Sequence, residues 1–164
     1  MRVWVIDTSS VIDLRHLPGK SDGSRSATFD RLTDLVDKAQ LFFPPVVLEE
    51  VLRFGATVAR DWAKQNAPKA TLHKPTYDEA KQILARIPNL IDPAKSGTDQ
   101  ADPYVIVVAQ KLEALDHRPT IITEDRKKQQ NKVPLSSAAG VFGFPSVALN
   151  VFLDTEGLGA TPTP

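Results

Sequence analysis

The amino-acid sequence predicts an α/β domain built on a parallel β-sheet, and three observations carry that expectation. Short β-branched and aliphatic runs, Val3 to Ile6, Leu41 to Phe43, Thr120 to Thr123 and Val147 to Leu149, read as strands. A continuous apolar run of that length suits a strand covered on both faces. Between these runs lie stretches whose apolar residues recur at helical spacing, and strands alternating with helices are the mark of α/β architecture. The 13 prolines stand between the segments rather than in one tract, as punctuation would.

Each element follows from its residues. The first strand ends on Asp7, and Thr8-Ser9-Ser10 then offers N-cap chemistry to a brief helix, Val11 to Leu14. Leu17 to Thr28 is polar and rich in glycine and serine, so it reads as a loop. Its Gly19-Lys20-Ser21 has the ending of a phosphate-binding loop, but the first glycine of that motif would fall on Leu14 and no strand directly precedes it. Phe29, Leu32, Leu35, Val36 and Ala39 mark a helix. After the second strand, Pro44-Pro45 opens another through Val46, Val47, Leu48, Val51 and Leu52, proline being well suited to a first helical turn. Two more helices are expected near Val58 to Ala67 and over Tyr77 to Ile87.

Val105-Ile106-Val107-Val108 has strand propensity, yet the run continues unbroken into Ala109-Gln110-Lys111-Leu112 behind Asp102-Pro103. Asp102 suits a cap and Pro103 a first turn, so Pro103 to Leu115 is read as one buried helix. Pro119 leads into the third strand. A small helix spans Pro134 to Phe142, closed by Gly143, and Asn150 would cap a last helix after the final strand. Residues 1–154 make one domain, and 155–164 read as a flexible tail.

Composition narrows the function. With 164 residues the chain suits one domain with a real core. It has no cysteine, which excludes disulfides, a thiolate zinc site and a cysteine nucleophile. Twenty Lys and Arg balance 20 Asp and Glu, which argues against a protein that coats polyanions along its whole surface. MRVWVIDTSS turns acidic too early for a secretory signal, and no apolar run approaches the ~20 residues that cross a bilayer. The expectation is a soluble, cytoplasmic protein with no membrane partner.

Four carboxylates stand where α/β sites form, outside the carboxyl ends of the strands. Asp7 follows the first strand and Asp125 the third, while Glu50 and Asp102 sit near helix starts that face the same edge. Two carboxylates ~4 Å apart repel by about 4 kcal/mol at an effective dielectric of 20. A hard divalent cation with oxygen ligands reverses that sign, Mg²⁺ or Mn²⁺ being the usual occupant. Such an ion also lowers the pKa of bound water and offsets charge on a phosphoryl group. Plain structural roles are open to each: a cap for Asp102, a turn for Asp125, a solvated helix position for Glu50.

The residues around these positions resemble a known family. Val5-Ile6-Asp7-Thr8-Ser9 is similar to the opening motif of PIN-domain proteins, which include the VapC-type toxins of bacterial toxin–antitoxin pairs. Pro44-Pro45-Val46-Val47-Leu48-Glu49-Glu50-Val51-Leu52 resembles the second motif, Asp99-Gln100-Ala101-Asp102 with its apolar helix the third, and Ile121-Ile122-Thr123-Glu124-Asp125 the fourth. Lys132-Val133-Pro134 and Ser146 to Asn150 also resemble a PIN-like subgroup.

The resemblance implies a three-layer sandwich and a metal-dependent ribonuclease. Asp7, Glu50, Asp102 and Asp125 would then hold Mg²⁺ or Mn²⁺, directly or through water, supported by Ser9, Thr123 and Asp99. Glu49 is an alternative to Glu50, and Glu124 to Asp125. The family's aromatic after the last Asp is absent, and Arg126-Lys127-Lys128-Gln129-Gln130-Asn131-Lys132 stands there instead.

Arg126, Lys127, Lys128 and Lys132 are candidate RNA phosphate contacts, or a solvated loop. Trp62 and Tyr104 could stack bases or pack in the core, and His16, His73 and His117 show no metal-ligand spacing.

The implied activity is RNA phosphodiester hydrolysis by a toxin with an antitoxin partner, and homodimers are common in the family. The alternative is a silent PIN-like module that binds RNA or protein. A haloacid-dehalogenase-like phosphatase needs a second Asp where Ser9 stands, and a receiver domain's acidic pair is not matched.

Overall fold

Four parallel strands in the order β2-β1-β3-β4 form the sheet that organises the chain. The computed structural model describes residues 1–14, 22–92 and 100–158. Strand β1 is Arg2–Ile6, β2 is Leu41–Phe42, β3 is Arg118–Ile122 and β4 is Ser146–Val147. Between them lie α1 (Thr8–Asp13), α2 (Asp22–Asp37), α3 (Pro45–Phe54), α4 (Thr57–Ala70), α5 (Tyr77–Arg86), α6 (Ala101–Ala114) and α7 (Leu135–Val141), and α8 (Leu149–Thr155) follows the last strand. The α/β class with helices flanking a parallel sheet is as the sequence predicts.

The two central strands are covered on both sides, as their unbroken apolar runs require. Val3, Val5, Ile6, Ile121 and Ile122 have no exposed surface. On one face Trp4 packs edge-on against Phe152 of α8, and its indole N–H donates to Glu156, which Arg31 of α2 also reaches. Helix α6 packs against β1 and β3, and its residues Val105 to Ala109 are all buried. The ambiguous valine run is helix, lying inside the single helix Ala101–Ala114. The β1–β2 connection carries α2 and the β2–β3 connection carries α3 to α6, and α2 and α4 pack together, Phe29 beside Trp62 and Asn66 Nδ2 donating to Thr33 Oγ1 at 3.3 Å.

Several boundaries differ from expectation, each for a physical reason. Helix α2 begins at Asp22, inside the run read as a loop. A glycine in a helix costs only about 1 kcal/mol, and the buried Phe29, Leu32, Leu35 and Val36 outweigh it by tertiary packing. The Gly19-Lys20-Ser21 segment lies outside the described residues. Thr8-Ser9-Ser10 is the first turn of α1 rather than its cap. Asp7 is the cap, its carboxylate accepting from the Ser10 N–H at 3.0 Å.

Gln100, not Asp102, holds the cap position of α6, and Asp102 lies in the first turn. Ala148 rather than Asn150 precedes α8, whose first N–H, that of Leu149, is taken by Glu124 Oε1 at 2.5 Å. Strand β3 starts at Arg118 and contains Pro119, which is tolerated because β4 pairs only with Ile121 and Ile122 and leaves that end an edge. Past Asp154 the chain stays attached: Thr155 is helical, Glu156 binds Trp4, and Leu158 packs on the core. Residues 159–164 lie outside the described set.

Candidate active site

Strand register builds the first half of the site. Ile6 of β1 pairs with Ile122 of β3, so the next residues, Asp7 and Thr123, leave the sheet side by side. The Asp7 N–H donates to Ile122 O at 3.1 Å and the Thr123 N–H to Val147 O at 3.0 Å, which fixes both backbones. Thr123 Oγ1 then donates to Asp7 Oδ2 at 2.5 Å, and Ser9 Oγ lies 2.9 and 3.0 Å from the two Asp7 oxygens. Asp7 is 2% exposed. Burial dominates its chemistry and raises its pKa to about 6 against the hydrogen bonds of Thr123, Ser10 and Ser9, which favour the charged form.

The second half is a cation between two carboxylates. Lys132 Nζ lies 2.8 Å from Asp102 Oδ2 and 2.6 Å from Asp125 Oδ2, and all three side chains are more than four-fifths shielded from solvent. Asp125 is held from two sides, because its Oδ2 also accepts from the Leu135 N–H at 3.1 Å and its own N–H donates to Thr123 Oγ1 at 2.9 Å. Asp102 comes from the first turn of α6. Burial raises its pKa to about 7 despite Lys132, with the charges of Asp7 and Asp125 pushing in the same direction. Burial opposes the charge on Lys132 in turn, but the two carboxylates outweigh it and its pKa is raised. The charges of Asp7 and Asp125 are thus felt at Asp102, and the three carboxylates form one electrostatic unit.

Glu50 is tied to the same strand edge through Thr8. Its Oε1 accepts from Thr8 Oγ1, whereas Glu49 is exposed, so Glu50 is the one turned toward the strand edge. Glu124 is engaged at the start of α8, whereas Asp125 meets Lys132. Ser9 links both loops, accepting from the Glu124 N–H at 3.2 Å. Asp99 lies outside the described residues, as does His16. His73 packs edge-on against Phe42, and its burial lowers its pKa. Trp62 and Tyr104 are 5% and 7% exposed, which makes them core residues rather than stacking platforms.

The basic run does not act as one. Lys132 is drawn into the carboxylates, while Arg126 reaches Ser146 Oγ at 3.3 Å and Lys127 and Lys128 are exposed. Arg126, Lys128 and Lys132, with Gln129, Gln130 and Asn89, line a cleft of about 460 Å³ that shares Lys132 with the acidic group. Sequence reasoning missed the role of Lys132 by treating the run as uniform. A signal existed: three carboxylates at one buried edge demand a compensating charge, and Lys132 is the basic residue nearest the helix that closes the site.

The donor set suits a hard cation. Asp102 and Asp125 already direct one oxygen each at a single positive centre, and Mg²⁺ commonly takes one or two carboxylates and keeps waters for its other positions. Among the described residues no three carboxylate or imidazole groups are gathered closely enough to hold one ion by themselves. Water and substrate oxygens would complete the shell.

Fold and site together define an α/β protein with carboxylates collected at the carboxyl edge of a parallel sheet. The chain belongs to the family described as Domain of unknown function (DUF4411), whose model matches residues 4–159. No curated protein matches the sequence. Among the described residues no helix is long and apolar enough to cross a membrane.

Proposed function

We propose that the protein is a PIN-like, divalent-metal-dependent RNA endonuclease. The observation that carries this reading is the convergence of Asp102 Oδ2 and Asp125 Oδ2 on one cationic centre, beside the buried Asp7. Asp102 and Asp125 would hold Mg²⁺ or Mn²⁺, with Asp7 and Glu50 acting directly or through water. A bound ion supplies positive charge against the phosphoryl group and acidifies water. The chain's own part is positional. Thr123 and Ser9 fix the Asp7 carboxylate, the Leu135 N–H fixes Asp125, and the neighbouring cleft offers Arg126 and Lys128 to the phosphates of a single strand. The four-motif resemblance further supports a cytoplasmic toxin with an antitoxin partner, and a homodimer.

The test is cleavage of a labelled RNA with Mg²⁺ or Mn²⁺, run against EDTA and Asp7→Ala. Cleavage lost in both controls is the expected result, and cleavage indifferent to both rules out the metal mechanism. One observation favours a second reading, a silent RNA-binding module: Lys132 already neutralises the carboxylates. RNA binding without cleavage under any divalent ion would select it.

A further inference from the structure

We propose that the Lys132 ammonium is a resident counter-ion that competes with a divalent cation for Asp102 and Asp125, so that Lys132 sets how tightly the protein takes up metal. The proposal rests on the metal reading above and adds a residue that opposes metal uptake rather than assisting it.

The geometry leaves room for one cation. Lys132 Nζ is 2.8 and 2.6 Å from the two Oδ2 atoms, and Mg²⁺ binds carboxylate oxygens at about 2.1 Å. An ion on those same oxygens would overlap the ammonium, so the two occupants exclude each other. The positive charge is needed in either case. Asp102 and Asp125 are largely shielded from water, Asp7 adds a third buried carboxylate, and like charges so close are unfavourable without compensation. Lys132 therefore stabilises the metal-free arrangement.

Little else in the fold anchors the ammonium: among the described residues its one further contact, with Val133 O at 3.5 Å, is long, and its four-carbon stem is flexible. The side chain borders the 460 Å³ cleft with Arg126 and Lys128, which gives a displaced ammonium a polar place to go. A phosphate lying in that cleft would meet it there.

The experiment is calorimetric titration of Mn²⁺ into the full chain at pH 7.5, without RNA, with far-UV circular dichroism confirming the fold. A competitor that occupies the site nearly all the time lowers apparent affinity by the inverse of the vacant fraction, so Lys132→Met should bind Mn²⁺ about tenfold more tightly or better. Lys132→Gln serves equally if the methionine variant misfolds. Lys132→Arg keeps a cation on both carboxylates and should stay at or below the wild-type affinity. Adding Asp125→Asn to Lys132→Met should remove the gain. Unchanged or weaker binding by both neutral variants overturns the proposal while wild-type binding leaves the metal reading standing. Folded protein that binds no Mn²⁺ in any variant overturns both.

Discussion

Thr123 Oγ1 donates to Asp7 Oδ2 at 2.5 Å across two strands that lie 116 positions apart in the chain. The same hydroxyl accepts the Asp125 N–H at 2.9 Å, so one side chain sets the positions of two site carboxylates. Thr123 has no exposed surface, so bulk solvent does not reach its hydroxyl. Thr123→Val should cost about 2 kcal/mol at pH 7.5, the range for a hydrogen bond to a buried charged group. Thr123→Ser should recover most of it. Urea unfolding of the three proteins measures the difference, and equal losses in the valine and serine variants would assign the effect to packing.

Asp7 also makes stability depend on pH. Its folded pKa is raised to about 6 from the ordinary 3.8 of an aspartate, so the folded state binds the proton more tightly than the unfolded one. Stability from this group is fully present below about pH 4 and is lost as pH rises through 6, for a total of about 3 kcal/mol. Asp102, raised to about 7, extends the loss upward. In EDTA, the urea midpoint should fall between pH 4.5 and 7.5. Saturating Mn²⁺ binds the deprotonated carboxylates, so it should flatten the fall.

The same carboxylate should separate stability from activity. Asp7→Asn removes a buried charge and keeps an oxygen for the Ser10 N–H, while its amide can donate to Thr123. In the metal-free protein at pH 7.5 the variant should be more stable than wild type by about 2 kcal/mol, with the gain vanishing near pH 4.5 where Asp7 is already neutral. RNA cleavage should be lost. A variant both less stable and inactive would make Asp7 a structural residue first.

Much of this was legible in the sequence, and the limits are physical. Val3 to Ile6 and Ile121-Ile122 read as buried strands because parallel strands are covered on both faces, and their ends therefore located Asp7 and Asp125. The start of α2 at Asp22 was not legible, because glycine and serine there signal a loop locally and only the packing of Phe29 to Val36 overrides them. The choice of Glu50 over Glu49 depends on helix phase, one residue being turned toward Thr8 and its neighbour toward solvent. Lys132 was the largest gap. Its direction is set by the fold of the loop between Asp125 and α7, for which a row of polar residues carries no periodic signal.

Gly55 marks a packing limit of the kind only coordinates reveal. Its φ of −80° suits any residue, yet a Cβ built there would lie 2.6 Å from Val51 O, at the closing turn of α3. The atom in the way is backbone, so α3 itself would have to shift, and Val51 is fully buried. Gly55→Ala should lower stability by about 2 kcal/mol, the usual cost of overpacking. A thermal melt of the variant decides it, and an unchanged midpoint would mean the end of α3 yields freely.

Arg126 and Lys128 should act on RNA affinity rather than on chemistry. Both line the cleft beside the carboxylates, and neither contacts Asp102 or Asp125 as Lys132 does. Each phosphate contact on a single strand releases bound counter-ions, so losing one makes the plot of log affinity against log salt shallower by roughly 0.7. Arg126→Ala and Lys128→Ala should each weaken RNA binding and reduce that slope, while the cleavage rate at saturating RNA stays near wild type. Because the contacts are to phosphate, the loss should be similar for unrelated sequences. A variant that lowers the saturated rate without touching the salt slope would place its side chain at the reacting phosphate instead of along the strand.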